Sequence, residues 1–192
     1  MAKLTVNELD LQGKRVLTRV DYNVPMAESD GVMVVNDDTR IRATLPTLKA
    51  MIEKGAKVIL CAHLGRPKGE RVDSMSLRPV AEKLSELIDR PVAFCDQCVG
   101  DNVTKAVSQL KEGNILLLEN VRYHAEEEAN DAAFAEQLAA NADIYVNDAF
   151  GAAHRSHAST AGVARVVTER GGQCAAGLLM ERELIFLGEE LE

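Results

Sequence analysis

The sequence predicts an α/β fold built on a doubly wound, mainly parallel sheet of about six strands. Two observations predict it. Short runs of β-branched and aliphatic residues recur at intervals long enough for a helix, and the segments between them carry apolar residues at helical spacings of three and four. Crossovers between parallel strands are right-handed and place their helices against the sheet. The pattern therefore indicates a Rossmann-like domain with helices on both faces of the sheet.

The apolar runs predict five strands. The first is an apolar run followed by polar residues, and the later strands repeat this arrangement. The first strand belongs to the stretch K-R-V-L-T-R-V-D-Y-N-V-P at 14–25, where aliphatic residues are followed by Asp21 and Asn23 and then by the breaker Pro25. The strand is therefore expected to be buried and to end in a polar tip. The five runs are 16–20, 58–62, 92–94, 115–118 and 144–146.

The first crossover begins with a predicted β-hairpin over residues 27–36. Asp30 and Gly31 form the tight-turn pair, and residues 32–35 supply the second strand. Further helices are predicted wherever apolar residues recur at helical spacing. The positions that carry this spacing are Val80, Leu84, Leu87 and Ile88, then Val103, Val107 and Leu110, and then Phe134 and Leu138.

Two starts are open for the helix that follows the hairpin. It either begins after an N-cap at Asp38, with Pro46 inside and bending it, or begins near Thr44 with Pro46 in its first turn. The first start is favoured because Ile41 belongs to the periodic apolar face. It also places Arg40 in the first turn, where the helix dipole disfavours a cation and a bound anion would relieve the conflict.

Length and composition indicate one large domain, or one domain with an appendage. The chain has 192 residues, of which 46% are hydrophobic and 27% charged, as in an ordinary globular protein. Its net charge of -8 argues against a nucleic-acid or anionic-membrane surface, because such a surface needs a basic face. The opening stretch lacks an export-signal pattern and no run reaches membrane-spanning length, so a cytoplasmic location is expected.

The cysteines indicate neither a disulfide framework nor a metal site. Four cysteines in a chain of this length fit a reducing cytosol. Cys95 and Cys98 have the spacing of a redox pair or of half a zinc site, but a zinc site would need a second pair of ligands. Two ordinary thiols at a strand end are the favoured interpretation, and no metal site is predicted.

Polar and basic residues follow the strands, where parallel strands present their carboxyl ends to a common crevice. A single arginine or histidine in a loop is more often solvated or structural, but several on one edge of the sheet favour an anion pocket. No glycine-rich dinucleotide motif, P-loop or nucleophile elbow accompanies them. The run Glu126 to Glu128 is interpreted as a solvated loop or helix start. The basic residues of this edge are Arg19, Arg40, His63, Arg66, Arg122, His154, Arg155 and His157.

The last segment, 178–192, is apolar on more than one face. A helix of this kind normally packs against two neighbours, and only one lies upstream, so more polypeptide or another subunit is expected to cover it. The chain alone is therefore expected to self-associate through this helix. Leu184, Leu187 and Leu191 follow the helical period, and Met180, Ile185 and Phe186 lie on other faces.

Five ordered segments resemble the signature motifs of the phosphoglycerate kinase family. This resemblance implies a two-domain phosphotransferase that is a monomer at full length. The enzyme would transfer a phosphoryl group from 1,3-bisphosphoglycerate to ADP, giving 3-phosphoglycerate and ATP, and would also catalyse the reverse reaction. The resemblance also implies that residues 1–175 are the substrate-binding N-terminal domain and 176–192 an interdomain helix leading to an absent nucleotide-binding domain. The segments are R-V-D-Y-N-V-P at 19–25, D-D-T-R-I-R-A-T-L-P-T at 37–47, H-L-G-R-P at 63–67, L-L-E-N-V-R-Y at 117–123 and N-D-A-F-G-A-A-H-R-S-H-A-S-T at 147–160.

By the same resemblance, this chain is expected to bind 3-phosphoglycerate or 1,3-bisphosphoglycerate but not to turn over. It would bind no cofactor itself, and Mg-ATP or Mg-ADP would bind to the missing domain of the full-length enzyme. The alternative is a stand-alone module that binds an anionic metabolite or assembles with another protein without catalysis. Nucleic-acid binding is disfavoured by the net charge and by the low aromatic content of 4%.

The resemblance also assigns roles to individual residues. Arg40 matches the arginine placed on the transferring phosphoryl group and is the one catalytic residue. His154 and His157 belong more loosely to the basic patch. Two positions depart from the family pattern: Tyr22 replaces the usual Phe or Leu, and Ala152 replaces a common Thr. The substrate-binding residues are Asp21, Tyr22, Asn23, Arg40, His63, Leu64, Gly65, Arg66, Arg122 and Arg155.

Overall fold

The computed structural model describes residues 4–153 and 155–190. Within those residues the strands are β1 (Arg15–Val20), β2 (Met26–Ser29), β3 (Val32–Val35), β4 (Lys57–Cys61), β5 (Val92–Cys95), β6 (Ile115–Leu118), β7 (Ile144–Asp148) and β8 (Gln173–Ala176). The helices are α1 (Thr39–Glu53), α2 (Arg78–Ile88), α3 (Asp101–Gln109), α4 (Ala125–Glu128), α5 (Ala132–Ala139), α6 (Phe150–Ala153), α7 (Val163–Glu169) and α8 (Leu178–Glu190).

The main sheet is parallel, and its six described strands run in the order β5-β6-β4-β1-β7-β8. This confirms the predicted α/β fold, and all five predicted strands are present. The predicted hairpin is also present, because β2 and β3 pair antiparallel in a small sheet of their own. Its turn has positive φ at both Asp30 and Gly31, as a tight two-residue connection requires.

The alternation of side chains along β1 builds two cores, one on each face of the sheet. Val16 and Val20 lie in one cluster with residues of α1 and α2, whereas Leu17 lies in the other with residues of α3, α5 and α7. Arg19 shares the face of Leu17 and is only 1% exposed. A buried strand therefore carries a charged side chain into the second core.

The sheet has its switch point between β1 and β7. The chain leaves β1 towards β4 on one side and leaves β7 towards β8 on the other, so the connections diverge at the carboxyl ends of this pair. Ligands bind in such crevices in open α/β sheets. The segments that start there are 21–25, after β1, and α6, after β7.

Helix α8 is anchored at its start and exposed further along. The carboxylate oxygen Oδ1 of Asp148 accepts hydrogen bonds from the backbone N–H groups of Leu179 and Met180, at 3.0 and 3.2 Å. Ile185 and Phe186 are 55% and 58% exposed. This agrees with the prediction of an apolar helix with an uncovered face. The side chain of Leu187, and Leu191 itself, lie outside the described part of the chain.

Candidate anion-binding site

A polar cavity of about 230 Å³ opens at the switch point of the sheet. Segments after β1, β4, β6 and β7 and the first turn of α1 contribute to it, as expected where the carboxyl ends of parallel strands meet. Seven of its lining residues are among the predicted site residues, and Gly151 and Ala152 complete it. The lining residues are Asp21, Asn23, Arg40, His63, Arg66, Arg122, Gly151, Ala152 and Arg155.

The first turn of α1 delivers Arg40 to the cavity. Helix α1 begins at Thr39 after Asp38, as favoured from the sequence, and Pro46 lies inside it. Asp38 does not cap the helix with its side chain but instead binds Arg42, at 2.8 Å from Nε to Oδ1. Arg40 binds both carboxylate oxygens of Asp21 through Nη1, at 3.0 and 2.9 Å. Acidic side chains therefore offset the unfavourable dipole in this structure.

The loop after β4 is held against the segment after β1. Asn23 accepts a hydrogen bond at Oδ1 from the backbone N–H of Gly65, at 2.8 Å, and Gly65 has φ of +64°. Arg122 donates from Nη1 to the carbonyl of Gly65, at 3.3 Å. The carbonyl of Leu64 accepts from the side-chain amide of Asn120, at 2.7 Å. Leu64 and Gly65, although predicted to bind the substrate, are not among the lining residues, and their backbone groups instead hold this loop in place.

Arg122 is the buried cation of the cavity. Its side chain is 3% exposed, and its Nε is a buried donor with no hydrogen-bond partner among the described residues. Glu128 is 3.7 Å from that nitrogen, which is beyond a hydrogen bond. Burial lowers the pKa of Arg122 from its usual value. A cation that is desolvated and incompletely paired favours an anionic ligand.

His63 is nearly buried beside these cations. Burial first, and then the charges of Arg19, Arg122 and Arg155, lower the pKa of His63 to about 2. Its Nδ1 lies 2.8 Å from Nη2 of Arg19. The imidazole is therefore neutral at physiological pH, and it acts as a hydrogen-bonding group rather than as a charge.

Some predicted residues do not reach the cavity. Tyr22 is fully buried in the core, where its hydroxyl lies 2.9 Å from that of Thr44, so its side chain is not placed to touch a ligand. His157 lies 3.8 Å from Glu127 and does not line the cavity. His154 lies outside the described residues. The sequence places these residues near the strand ends, but it does not give the direction of their side chains.

Sequence reasoning missed the role of Glu127. It is 0% exposed, in contrast to the solvated position expected for it, and accepts hydrogen bonds from the N–H and hydroxyl of Ser159. Its neighbours Glu126 and Glu128 are exposed, although all three residues are glutamates. No local signal in the run distinguishes the middle glutamate, because the distinction depends on a partner 32 residues away.

Glu119 and Asn120, which follow β6, have structural roles. The carboxylate of Glu119 accepts hydrogen bonds from the hydroxyl of Ser76 and the N–H of Leu77, at the start of α2. Asn120 ties the loops after β4 and β6 together. Neither residue lines the polar cavity.

Gly151 and Ala152 form the wall of the cavity contributed by α6. A Cβ at Gly151 would lie 3.1 Å from a carboxylate oxygen of Asp21, so a larger residue would press on the Asp21–Arg40 pair. Ala152 contributes only a methyl group to this wall. This wall therefore offers space and no side-chain hydrogen bonds.

A second cavity of about 460 Å³ lies between β8, α7 and α8. It is larger, but its lining is mostly apolar, including Ala164, Ala175 and Met180. Arg155 lines both cavities. An apolar lining does not suit a multiply charged anion, so the smaller, polar cavity is the candidate site.

The four cysteines are free thiols in the structure. Cys95 and Cys98 are buried with free thiols, and burial raises the pKa of each. Over residues 4–153 and 155–190, no group of three or more potential metal ligands is found. In that same part of the chain, no helix combines the length and hydropathy needed to cross a bilayer.

Comparison with known proteins identifies close relatives. The family model described as phosphoglycerate kinase matches residues 6–192. A phosphoglycerate kinase of Rippkaea orientalis is 58% identical over 98% of this chain, which covers 45% of that protein. One from Gloeothece citriformis is 55% identical over the whole chain, covering 47% of that protein. The chain thus spans about half the length of the curated relatives it matches.

Solved structures of phosphoglycerate kinases are also similar to this chain. The structure of phosphoglycerate kinase from Coxiella burnetii matches with a TM-score of 0.82 and 35% identity, over 97% of this chain and 44% of that one. The crystal structure of the enzyme from Pyrococcus horikoshii OT3 also has a TM-score of 0.82, with 34% identity over 94% of this chain and 44% of that one. Both likenesses cover nearly all of this chain.

Proposed function

This chain belongs to the phosphoglycerate kinase family, and we propose that its polar cavity binds 3-phosphoglycerate or 1,3-bisphosphoglycerate. The observation that carries the proposal is the charge of the cavity: Arg40, Arg66, Arg122 and Arg155 line it together, against one carboxylate, that of Asp21. The protein as a whole is acidic, with a net charge of -8. A cluster of arginines at the switch point is therefore a local feature that suits a phosphorylated, multiply anionic ligand.

The four arginines suit different parts of such a ligand. Arg66, Arg122 and Arg155 come from three different loops. Among the described residues, no carboxylate binds any of them in two-pronged fashion, so their planar forks suit a phosphate. Arg40 already forms an ion pair with Asp21. A ligand carboxyl or hydroxyl group that enters the cavity would therefore have to share this contact or replace it. Asp21 and Asn23 offer acceptors to the hydroxyl of a glycerate.

We place Arg40 on the transferring phosphoryl group. A glycerate carboxylate is already ionised at neutral pH, so phosphoryl transfer to it needs no general base. The protein has to align the reactants and neutralise charge, for which arginine is apt. Arg40 suits this role because it lies in the first turn of α1, lines the cavity and has a side chain that is 51% exposed.

We place Mg-nucleotide on residues beyond these 192. The donor set of the cavity supports this, because Mg²⁺ prefers carboxylate and other oxygen ligands and the single aspartate there is already paired with Arg40. Turnover would then require a second domain, consistent with relatives about twice the length of this chain. Residues 1–175 would be the substrate domain and 176–192 the connecting helix, in a cytosolic enzyme.

A stand-alone binding or assembly module is the second candidate, and it rests on the exposed side chains of Ile185 and Phe186. In a complete enzyme these side chains would be covered by more polypeptide. In the 192-residue chain they would drive self-association. Sedimentation of this chain as a monomer at high concentration would count against self-association.

Calorimetric titration of the 192-residue chain with 3-phosphoglycerate tests the proposal. We expect saturable binding that weakens as salt is raised, since exposed charges such as Arg66 are screened. Arg66→Ala should weaken binding, whereas Arg165→Ala, an exposed arginine on α7 that does not line the cavity, should not. A folded chain that shows no binding, or equal effects of the two substitutions, would contradict the proposal.

A further inference from the structure

A buried charged network lies directly behind the polar cavity. It starts at Arg19, which projects from β1 into the second core and is 1% exposed. Arg19 does not line the cavity, but it contacts His63, which does. A buried arginine is costly unless its charge is balanced and its donors are satisfied. The contacts of Arg19 therefore indicate its role.

All three guanidinium nitrogens of Arg19 are used. Nε donates to the hydroxyl of Ser159, at 2.9 Å, and Nη1 donates to the backbone carbonyl of Val20. Nη2 lies 2.8 Å from Nδ1 of His63. These contacts fix the planar guanidinium in one orientation, in which Nη2 faces the imidazole.

Glu127 balances the charge of Arg19 through Ser159. The Ser159 hydroxyl accepts from Arg19 and donates to one carboxylate oxygen of Glu127, while the Ser159 N–H donates to the other oxygen, at 2.8 Å. Glu127 and Ser159 are both 0% exposed. The network thus links carboxylate, hydroxyl, guanidinium and imidazole, and each of the three guanidinium nitrogens has an acceptor.

The direction of the last hydrogen bond follows from chemistry. A guanidinium has only donors, so the imidazole nitrogen that faces it must be the acceptor. His63 therefore carries its proton on Nε2, the nitrogen on the other side of the ring from Arg19. We infer that Arg19 is a positioning residue that holds His63 in the Nε2–H tautomer, so that the imidazole presents a fixed N–H donor to the anion in the cavity.

This inference rests on the proposed function for the identity of the anion, but not for the tautomer. The charged and titratable groups that face His63 are Arg19, Arg122, Arg155 and His157, and together with burial they lower its pKa to about 2. The donor therefore stays neutral and in place across physiological pH. His63 would recognise an oxygen atom of the ligand by geometry, whereas the cavity arginines recognise its charge.

Histidine ¹⁵N NMR on the 192-residue chain tests the tautomer without any substitution. The chain has four histidines, and the signals of His63 are assigned by their loss in His63→Gln. We expect Nδ1 to be unprotonated and Nε2 protonated, with no change from pH 6 to 8. A protonated Nδ1, or a mixture of tautomers, would overturn the inference.

A charge-balanced double variant tests whether Arg19 sets the tautomer. Arg19→Met with Glu127→Gln removes both buried charges together, so neither is left unpaired. His63 should then lose its single tautomer, and the Kd for 3-phosphoglycerate should rise about tenfold. Arg15→Met is the matched control on the same strand. It breaks the ion pair with Asp143 far from the cavity and should change neither readout.

The readouts separate this inference from the proposed function. If the unsubstituted chain shows the Nε2–H tautomer but binds no 3-phosphoglycerate, the proposed ligand is wrong and the positioning of His63 stands. If the double variant keeps the single tautomer, Arg19 does not set it and the inference fails. If the tautomer is lost and the Kd stays unchanged, the orientation of His63 does not matter for binding and the inference fails as well.

Discussion

Glu127→Ala is expected to be among the most destabilising substitutions in this chain. Glu127 is 0% exposed, and its two carboxylate oxygens accept from the N–H and hydroxyl of Ser159. Alanine would leave these donors unsatisfied and would leave the buried guanidinium of Arg19 without its balancing charge. Ser159 bridges Glu127 and Arg19, and removing one charge of such a buried, balanced arrangement costs about 3–5 kcal/mol. Since domains are stable by about 5–15 kcal/mol, this is a large share of the total.

Urea unfolding of the 192-residue chain measures the effect, with Glu126→Ala as the control. Glu126 is the exposed neighbour in the same run of glutamates, and its replacement should change stability by about 0.5 kcal/mol or less. The m-value should be the same for both variants, so that the midpoints report stability alone. If Glu127→Ala costs less than about 1 kcal/mol, the buried carboxylate does not balance Arg19 and the reasoning is refuted.

Three further substitutions separate catalytic, structural and pH-dependent roles. In the complete enzyme, Arg40→Ala should lower turnover by about 10³ or more and affect substrate binding less, and near-normal turnover would exclude a catalytic role. Hydrogen bonds from Arg15 lower the pKa of Asp143, so this pair stabilises the fold at neutral pH and ceases to do so as pH falls through that lowered pKa. Arg15→Met should therefore cost at most about 1 kcal/mol in urea unfolding at pH 7 and less at about pH 3, and an equal cost at both would contradict this. Tyr22→Phe removes a buried hydroxyl bonded to Thr44 and should cost about 1 kcal/mol without changing the Kd for 3-phosphoglycerate, whereas a weakened Kd would place the ring against the ligand.

The fold was predictable because its central strands are buried on both faces. Parallel central strands such as β6, with four buried aliphatic residues, read as continuous apolar runs. Strand β8 was missed because it is a short edge strand, Gln173–Ala176, made of small and polar residues with partial exposure. It is set by pairing with β7 rather than by its own sequence.

The cavity was predictable to the extent that it depends on chain position. Residues directly after parallel strands converge at one edge, which brought Asp21, Asn23, His63 and Arg66 together as expected. The direction of each side chain depends on packing, so the sequence did not separate Tyr22, which faces the core, from its neighbours. The role of Glu127 depends on a contact with a distant segment and has no local signal.

Backbone amide NMR of the 192-residue chain during titration with 3-phosphoglycerate tests the central claim most directly. If the ligand binds in the polar cavity, the amides of Asn23, Gly65 and Gly151 should shift together and saturate at one Kd. The amides of Ala164 and Ala175, which line the apolar cavity, should stay unchanged. Saturating shifts confined to the apolar cavity, or no saturating shifts at all in a folded chain, would contradict the account.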